Sequence, residues 1–278
     1  MSDRAIGAYG LSEAESQAYA RDGFFIRETV FDACEIRAFQ EAAEEVAQLA
    51  GQGALASRDR YAIDGNEYVE ASLSAGASTV QMEHRTGSHV IRVIEPFHHL
   101  HPRFRTLVDD PRLVQPMAGL VGTRRVALFT DKMNLKRPQE GSRFSWHQDS
   151  PYWAHFCDHL DQLPNVLVAL DDAAVDNGCF RVIRGSHRRG LLPGRAGEGR
   201  LGPLFTHPDA FDESLQVPAV IPAGSTVFFS PHAVHGSEPN TSDRPRRALV
   251  LTYQPADRRM FKIDAVRNAG SSPAYGQV

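Results

Sequence analysis

Cysteine is scarce in this 278-residue chain, which has only Cys34, Cys157 and Cys179. An odd, scattered set excludes a disulfide framework and points to a reducing compartment, so the expected location is the cytoplasm. Lysine is as rare, with Lys132, Lys136 and Lys262 against an arginine-rich remainder. A net charge of −4 and a pI near 6.3 exert no global pull toward nucleic acid or an anionic membrane. No window approaches the apolar length of a membrane span, and the first residues carry no apolar core of a signal peptide. What is present is 42% hydrophobic residues, enough to bury a large core, expected as a single domain over residues 1–278.

Ser12 with Glu15, and Asp32 with Glu35, have the form of helix starts. The first helix should end near Asp22-Gly23 and the second near Leu49, with Phe24-Phe25-Ile26 as a strand between them. Residues 50–88 are rich in Gly, Ala, Ser and charge, and read as a long surface loop or mobile cover. His89 to Glu95 reads as a strand, and Asp110-Pro111 starts a helix that stops around Gly119 to Gly122. Strand signals then dominate 124–136, 143–148, 165–171, 179–183, 216–221, 225–230 and 246–254, divided by turns such as Asp176-Asn-Gly178 and Pro222-Ala-Gly224. Helices first and many short strands after, without βαβ alternation, imply a mainly β fold with helical support, a double-stranded β-helix or cupin-like jelly roll. The helical part is expected over about 11–122, the jelly-roll core over about 123–255, and a disordered tail over about 271–278.

The chemistry-bearing pattern is Trp146-His147-Gln148-Asp149, followed far downstream by Val234-His235-Gly236-Ser237 and then Arg246. On an extended strand His147 and Asp149 project from the same face. His235, from a distant strand, completes a facial set of two histidines and one carboxylate. That set leaves three positions on an octahedral Fe(II), enough for a chelating cosubstrate and O2. Arg246 fits the return strand of a hairpin, from which it would hold a dianion by bidentate pairing. A His-x-Asp alone is weak, because the spacing occurs by chance in many chains. The context raises its weight: Asn134 lies on a strand upstream, His235 and Ser237 share parity, and Arg246 shares parity with Ala248 and Val250. Buried in an apolar barrel, such an arginine and aspartate are costly unless paired or ligated.

These residues resemble the phytanoyl-CoA dioxygenase family. The resemblance runs from about residue 12 to residue 254. It includes Asp22-Gly-Phe-Phe, Trp146-His-Gln-Asp149, the stretch from Asp176-Asn-Gly to Gly185-Ser-His187, Pro222-Ala-Gly-Ser-Thr-Val-Phe-Phe, Val234-His-Gly-Ser-Glu-Pro-Asn240 and Arg246. It implies a jelly-roll oxygenase using Fe(II), 2-oxoglutarate and O2, with His147, Asp149 and His235 as iron ligands. Arg246 would pair with the distal carboxylate of 2-oxoglutarate and Ser237 would hydrogen-bond it. The ectoine hydroxylases of that family are similar at further positions, which implies that Asn134 and Phe144 touch 2-oxoglutarate and that Trp153 and Phe229 face substrate. The segment Ser150-Pro-Tyr-Trp-Ala-His-Phe-Cys-Asp158 departs from their substrate signature.

The remaining polar residues have plainer readings beside functional ones. His98, His99 and His101 look like a metal cluster but more simply cap a helix or lie near the cavity mouth. His155 and His159 are expected in a lid over the substrate, and His187 is a hydrogen-bonding turn residue. Cys179 is a small core residue. The basic run 184–200 is a solvated loop, with a lid for an acidic substrate as the lesser reading. Lys132 shares parity with Asn134, and Tyr152 follows the iron motif, so both are placed on the substrate side with Trp153 and Phe229. Such a pocket, aromatic with one cation, suits a compact anionic substrate.

The expected function is hydroxylation of an unactivated C–H bond of a small organic metabolite, in a setting such as bacterial secondary metabolism, with release of succinate and CO2. Desaturation, epimerisation and cyclisation by the same chemistry are the alternatives, and a non-catalytic metabolite-binding jelly roll is a second one. Arg246 with the Asn134/Ser237 pair weighs against mere binding. The expected partner is a small molecule, neither nucleic acid nor membrane, and the oligomeric state stays open.

Overall fold

A computed structural model describes residues 8–84, 87–260 and 265–266. The tail expected over 271–278 lies outside the described residues. Reciprocal caps set the first helices: Ser12 and Asp32 each accept the amide of the glutamate three residues on, and that glutamate returns to the cap amide. They open α1 (Glu13–Asp22) and α2 (Ala33–Ala56), with β1 (Phe24–Arg27) between. Helix α2 runs past Leu49, where the sequence suggested it would stop. Ala43, Ala47, Ala50 and Ala54 form one buried stripe, and a Cβ at Gly53 would strike Leu73. Close packing on the sheet therefore sustains the last turns.

The loop or cover expected over 50–88 is instead the end of α2 followed by a meander of β2 (Arg60–Ile63), β3 (Asn66–Leu73) and β4 (Gly76–Met82). Asp64 and Gly65, at φ of 50° and 79°, make the left-handed pair of a tight hairpin turn. Val69, Ala71, Val80 and Met82 alternate inward, whereas Glu70, Ser72, Thr79 and Gln81 intervene. The period of two was present in the sequence, but small and polar residues obscured it.

The chain continues through β5 (Ile91–Glu95), α3 (Pro102–Leu107), α4 (Pro111–Val121), β6 (Val126–Lys136), β7 (Phe144–His147) and α5 (Ser150–Trp153). Then follow β8 (Asn165–Ala169), β9 (Arg181–Ile183), β10 (Gln216–Pro218), β11 (Thr226–Phe229), β12 (His235–Ser237) and β13 (Arg246–Pro255). They build two sheets, one of nine strands in the order β1-β11-β8-β13-β6-β5-β4-β3-β2 and one of four in the order β10-β9-β12-β7. The N-terminal part, expected as helical support, thus also supplies five strands to the larger sheet.

Alternation along the central strands divides the core into two layers. Leu249 and Leu251 of β13 and Met133 and Leu135 of β6 pack with the apolar faces of α2 and α4. Their neighbours Ala248 of β13, Leu167 and Ala169 of β8 and Phe229 of β11 join Phe180 and Val182 from the side of the smaller sheet. Polar residues sharing the second parity therefore point into the space between the sheets. The result is the expected jelly roll. No helix among the described residues is long and apolar enough to cross a membrane.

Candidate active site

His147 and His235 lie opposite each other in the register of β7 and β12. Each Nδ1 is bound to a backbone carbonyl two residues back, His147 to Ser145 at 2.7 Å and His235 to Ala233 at 2.9 Å. Those carbonyls assign the ring protons to Nδ1 and leave both Nε2 lone pairs free to ligate. Burial, then the neighbouring His235, holds the His147 pKa down to about 3, so this imidazole is neutral at physiological pH.

Asp149 completes the cluster by a route other than strand parity. Strand β7 ends at His147, and Asp149 has turned to φ −78° and ψ −31° at the start of α5. The amides of Asp149 and Ser150 both donate to Pro231 O at 3.1 Å. Gln148, fully buried, fixes the turn: its amide donates to Gly190 O at 2.8 Å and His232 O at 2.6 Å, and its oxygen accepts from Leu192 N at 2.8 Å. The ligand atoms of His147, Asp149 and His235 all lie within 4.8 Å of one another, so the set fits one metal ion. Asp149 Oδ1 is 3.9 Å from His147 Nε2, and Oδ2 is 3.7 Å from His235 Nε2.

Arg246 reaches this space from the opposite wall. The hairpin expected to join it to His235 is absent, because β12 belongs to the smaller sheet and β13 to the larger, where Arg246 pairs with Lys136 of β6. Its buried guanidinium donates to Gly178 O at 3.1 and 2.7 Å and approaches Ser237 Oγ at 3.5 Å. Among the described residues it has no carboxylate partner within ion-pair distance, and burial lowers its pKa to about 10. The Asp176-Asn-Gly turn presents that carbonyl. Gly178 sits at φ 73°, where a Cβ would also strike Glu238 O, so glycine is required on both counts. Arg246 is thus oriented by a neutral acceptor while its charge remains uncompensated, a fit for an incoming carboxylate.

The two sites open on one cavity of about 390 Å³. Asn134, Phe144, Lys132, Tyr152 and Phe229 all line it, with the metal-binding cluster, Ser237 and Arg246. The Phe229 ring packs against His235 and Phe180, with centroids 5.0 and 4.9 Å away. Lys132 Nζ stands 5.5 Å from the Tyr152 ring centre and 4.0 Å from Glu95 Oε2. Burial works against its charge, but Glu95 and then Asp149 raise its pKa. Trp153, expected on the substrate side, does not line the cavity. Its ring turns away from the cavity into a buried cluster with Phe129, Cys157 and Leu163, 5.3 Å from Phe129 in an edge-on contact.

Several wall residues escaped the sequence reading. Tyr68 and Gln81 come from the meander taken for a loop, and Arg92 and Glu95 come from β5. The Arg92 guanidinium lies 3.7 Å over the Phe144 ring and donates to Arg143 O at 2.7 Å, so the pocket holds more than the one cation expected. The basic run itself contributes none of Arg188, Arg189, Arg195 or Arg200 to the wall, whereas Leu201, Leu204 and Phe205 just after it form a roof. Two contacts hold that roof. Thr206 N donates to Trp146 O on the free edge of β7 at 2.9 Å, and Asp64 at the β2–β3 turn accepts the Arg200 and Leu201 amides at 3.0 and 2.6 Å.

His98, His99, His101, His155, His159 and His187 do not line the cavity. His101 caps α3 as expected, but His98 is buried 2.7 Å from Asp131 in the core rather than at the mouth. His159, expected in a lid, is buried with Nε2 3.0 Å from Gln254, and His155 is exposed. His187 donates from Nε2 to Ala20 O, 3.2 Å away, with its ring over Gly23, and Cys179 is fully buried. A wider groove of about 640 Å³ between α2 and the turn after β6 is lined by Glu44, His89, Arg137 and Glu140, and no metal-ligating cluster among the described residues borders it.

Two imidazoles and one carboxylate between the sheets of a double-stranded β-helix, faced by an uncompensated arginine, are the arrangement of a non-haem iron oxygenase. The chain belongs to the phytanoyl-CoA dioxygenase family, whose model matches residues 19–248. It is 31% identical over 185 residues to the L-proline trans-4-hydroxylase of Streptomyces griseoviridis, spanning 60% of this chain and 68% of that protein. It is 27% identical over 292 residues to the ectoine dioxygenase of Bordetella bronchiseptica, spanning 97% of this chain and 80% of the other. The crystal structure of EctD from S. alaskensis with 2-oxoglutarate and 5-hydroxyectoine shares the fold at a TM-score of 0.67 and 24% identity, over 94% of this chain and 80% of that one.

Proposed function

We propose that this chain is one oxygenase domain, acting in the cytoplasm, that hydroxylates an unactivated C–H bond of a small organic metabolite. The observation that carries this reading is the uncompensated Arg246 guanidinium opening on the same cavity as His147, Asp149 and His235. Iron bound with 2-oxoglutarate and O2 supplies the oxidising power, one oxygen atom going to the hydroxyl and the other to succinate, with loss of CO2.

The protein's part is to hold and to order. His147 and His235 ligate through Nε2, which their Nδ1–carbonyl bonds present, and Asp149 supplies the negative ligand. Arg246 and Ser237 take the distal carboxylate of 2-oxoglutarate, and Asn134 and Phe144 form the wall beside it. The roof of Leu201, Leu204 and Phe205 excludes water from that space. Lys132, Tyr152 and Phe229 face the substrate, while Trp153 supports α5 from behind. A charged Lys132 beside an aromatic ring favours a compact metabolite with a carboxylate or a similar anion. The named relatives act on proline and ectoine, which are small and polar.

The test is conversion of 2-oxoglutarate to succinate by the iron-loaded protein, with and without Arg246→Leu. Loss of a charge-assisted pair in a closed pocket should raise KM for 2-oxoglutarate by roughly one to three orders of magnitude, at about 1.4 kcal/mol per decade. An unchanged KM contradicts the assignment of Arg246.

A further inference from the structure

Asp149 is the one ligand whose two donor atoms are chemically alike, and the fold treats them differently. Asn165 Nδ2 donates to Asp149 Oδ2 at 3.0 Å, whereas among the described residues Oδ1 receives no hydrogen bond. Asn165 is fully buried at the start of β8, and its side chain shares the inward parity of Leu167 and Ala169. Its amide cannot flip. The Asp149 carboxylate only accepts, so the NH2 group must face it, and Thr252 of β13, the register partner of Asn165, donates its hydroxyl at 2.6 Å to the Asn165 Oδ1 that is left. The relay Thr252–Asn165–Asp149 therefore runs from the larger sheet across the sandwich to a ligand on the loop after the smaller one.

Resting on the metal-site reading above, we propose that Asn165 is a positioning residue that keeps Asp149 a one-oxygen ligand. A carboxylate in a buried site otherwise ligates through one oxygen or both, and the second mode consumes a coordination position. Oδ2, engaged by an amide donor of fixed orientation, is the poorer ligand, so the free Oδ1 is left for the metal. Thr252 acts one step further out by holding the amide oxygen. This role is distinct from those of Arg246 and Ser237, which face the cosubstrate.

The test is anaerobic titration of metal-free protein with Fe(II), and with Co(II) for its ligand-field bands. Asn165→Leu removes the donor at similar volume, and Thr252→Val removes the anchor while keeping its shape. Asn165→Leu should weaken Fe(II) binding about 10- to 100-fold, the usual effect of losing an outer-sphere partner, and should alter the Co(II) bands. Thr252→Val should act in the same direction by less, with Thr252→Ser restoring wild-type behaviour. In an Asp149→Ala background Asn165→Leu should have no further effect on affinity, because it acts through the carboxylate. Wild-type affinity and Co(II) bands in Asn165→Leu overturn the proposal, as does an equal loss in the Asp149→Ala background. If Asn165→Leu does not fold, wild-type behaviour of Thr252→Val overturns it. Failure of the metal site itself looks different, because wild-type protein would then bind Fe(II) no better than His235→Ala.

Discussion

The His147 and His235 rings face each other across β7 and β12 with centroids 4.2 Å apart. Burial, and after it the neighbouring His235 ring, disfavours the charged form of His147, so this imidazole is neutral in the metal-free site.

That neutrality has a pH signature. The His147 pKa falls from 6.5 to about 3, and that of His84 on the cavity wall falls from 6.5 to about 4, in both cases through burial first. A depressed folded pKa means that the unfolded chain binds the proton first. The stability of the metal-free protein should therefore fall as the pH drops below about 6.5, and continue falling toward the folded values. Carboxylate titration lies mostly below pH 5, so the window between about 6.5 and 5 isolates the histidines. Thermal unfolding across that window checks it: His147→Ala should flatten the slope, and a wild-type slope in that variant would contradict the account.

Trp153 and Lys132 should fail in different ways. Truncating a buried tryptophan to alanine costs about 3–5 kcal/mol, so Trp153→Ala should lower the unfolding midpoint strongly. Lys132→Ala touches a cavity side chain only 26% exposed but outside the apolar clusters, and should cost far less stability than Trp153→Ala. It should reduce product formation while succinate formation without substrate persists. Equal midpoints, or a Lys132→Ala variant with undiminished product, would reverse the two assignments.

The roof should loosen when Asp64 is removed. Its carboxylate accepts the Arg200 and Leu201 amides, which hold its pKa below the ordinary value. Both bonds are solvent-exposed, so their loss should be felt locally at the roof and little in the stability of the whole fold. Hydrogen exchange at those two amides should accelerate in Asp64→Ala, with Thr206, bound to Trp146 O, little affected. Unchanged exchange at Leu201 would mean that the roof is held elsewhere.

The sequence carried the fold class and the inner site because both rest on strong local rules. Alternating strands after capped helices specify the layers, and two histidines, one aspartate and an arginine in strand context specify the chemistry. Other features depended on weak contrast or on packing between distant segments. The 60–82 meander is rich in Ala, Ser and other small or polar residues, so its alternation carries little hydrophobic contrast, although Asp64-Gly65 is a readable hairpin turn. Trp153 sits one residue from Tyr152 on a short helix, and only packing against Phe129 decides which ring faces the cavity. Asp149 meets His147 and His235 by a turn and not by strand parity, since the strand ends at His147 and the Pro231 carbonyl holds the turn. Asn165 and Thr252 had no motif at all, and their pairing is a matter of register between distant strands.

The central claim is that one cavity binds iron through His147, Asp149 and His235 and 2-oxoglutarate through Arg246. Anaerobic titration of the metal-free protein with Fe(II), then 2-oxoglutarate, reads both events. One equivalent of Fe(II) should bind, and 2-oxoglutarate should then produce a weak visible charge-transfer band. That band should be lost in His235→Ala and should need far more 2-oxoglutarate in Arg246→Leu. Stoichiometric iron binding in His235→Ala, or no band from the wild-type protein at saturating 2-oxoglutarate, would contradict the account.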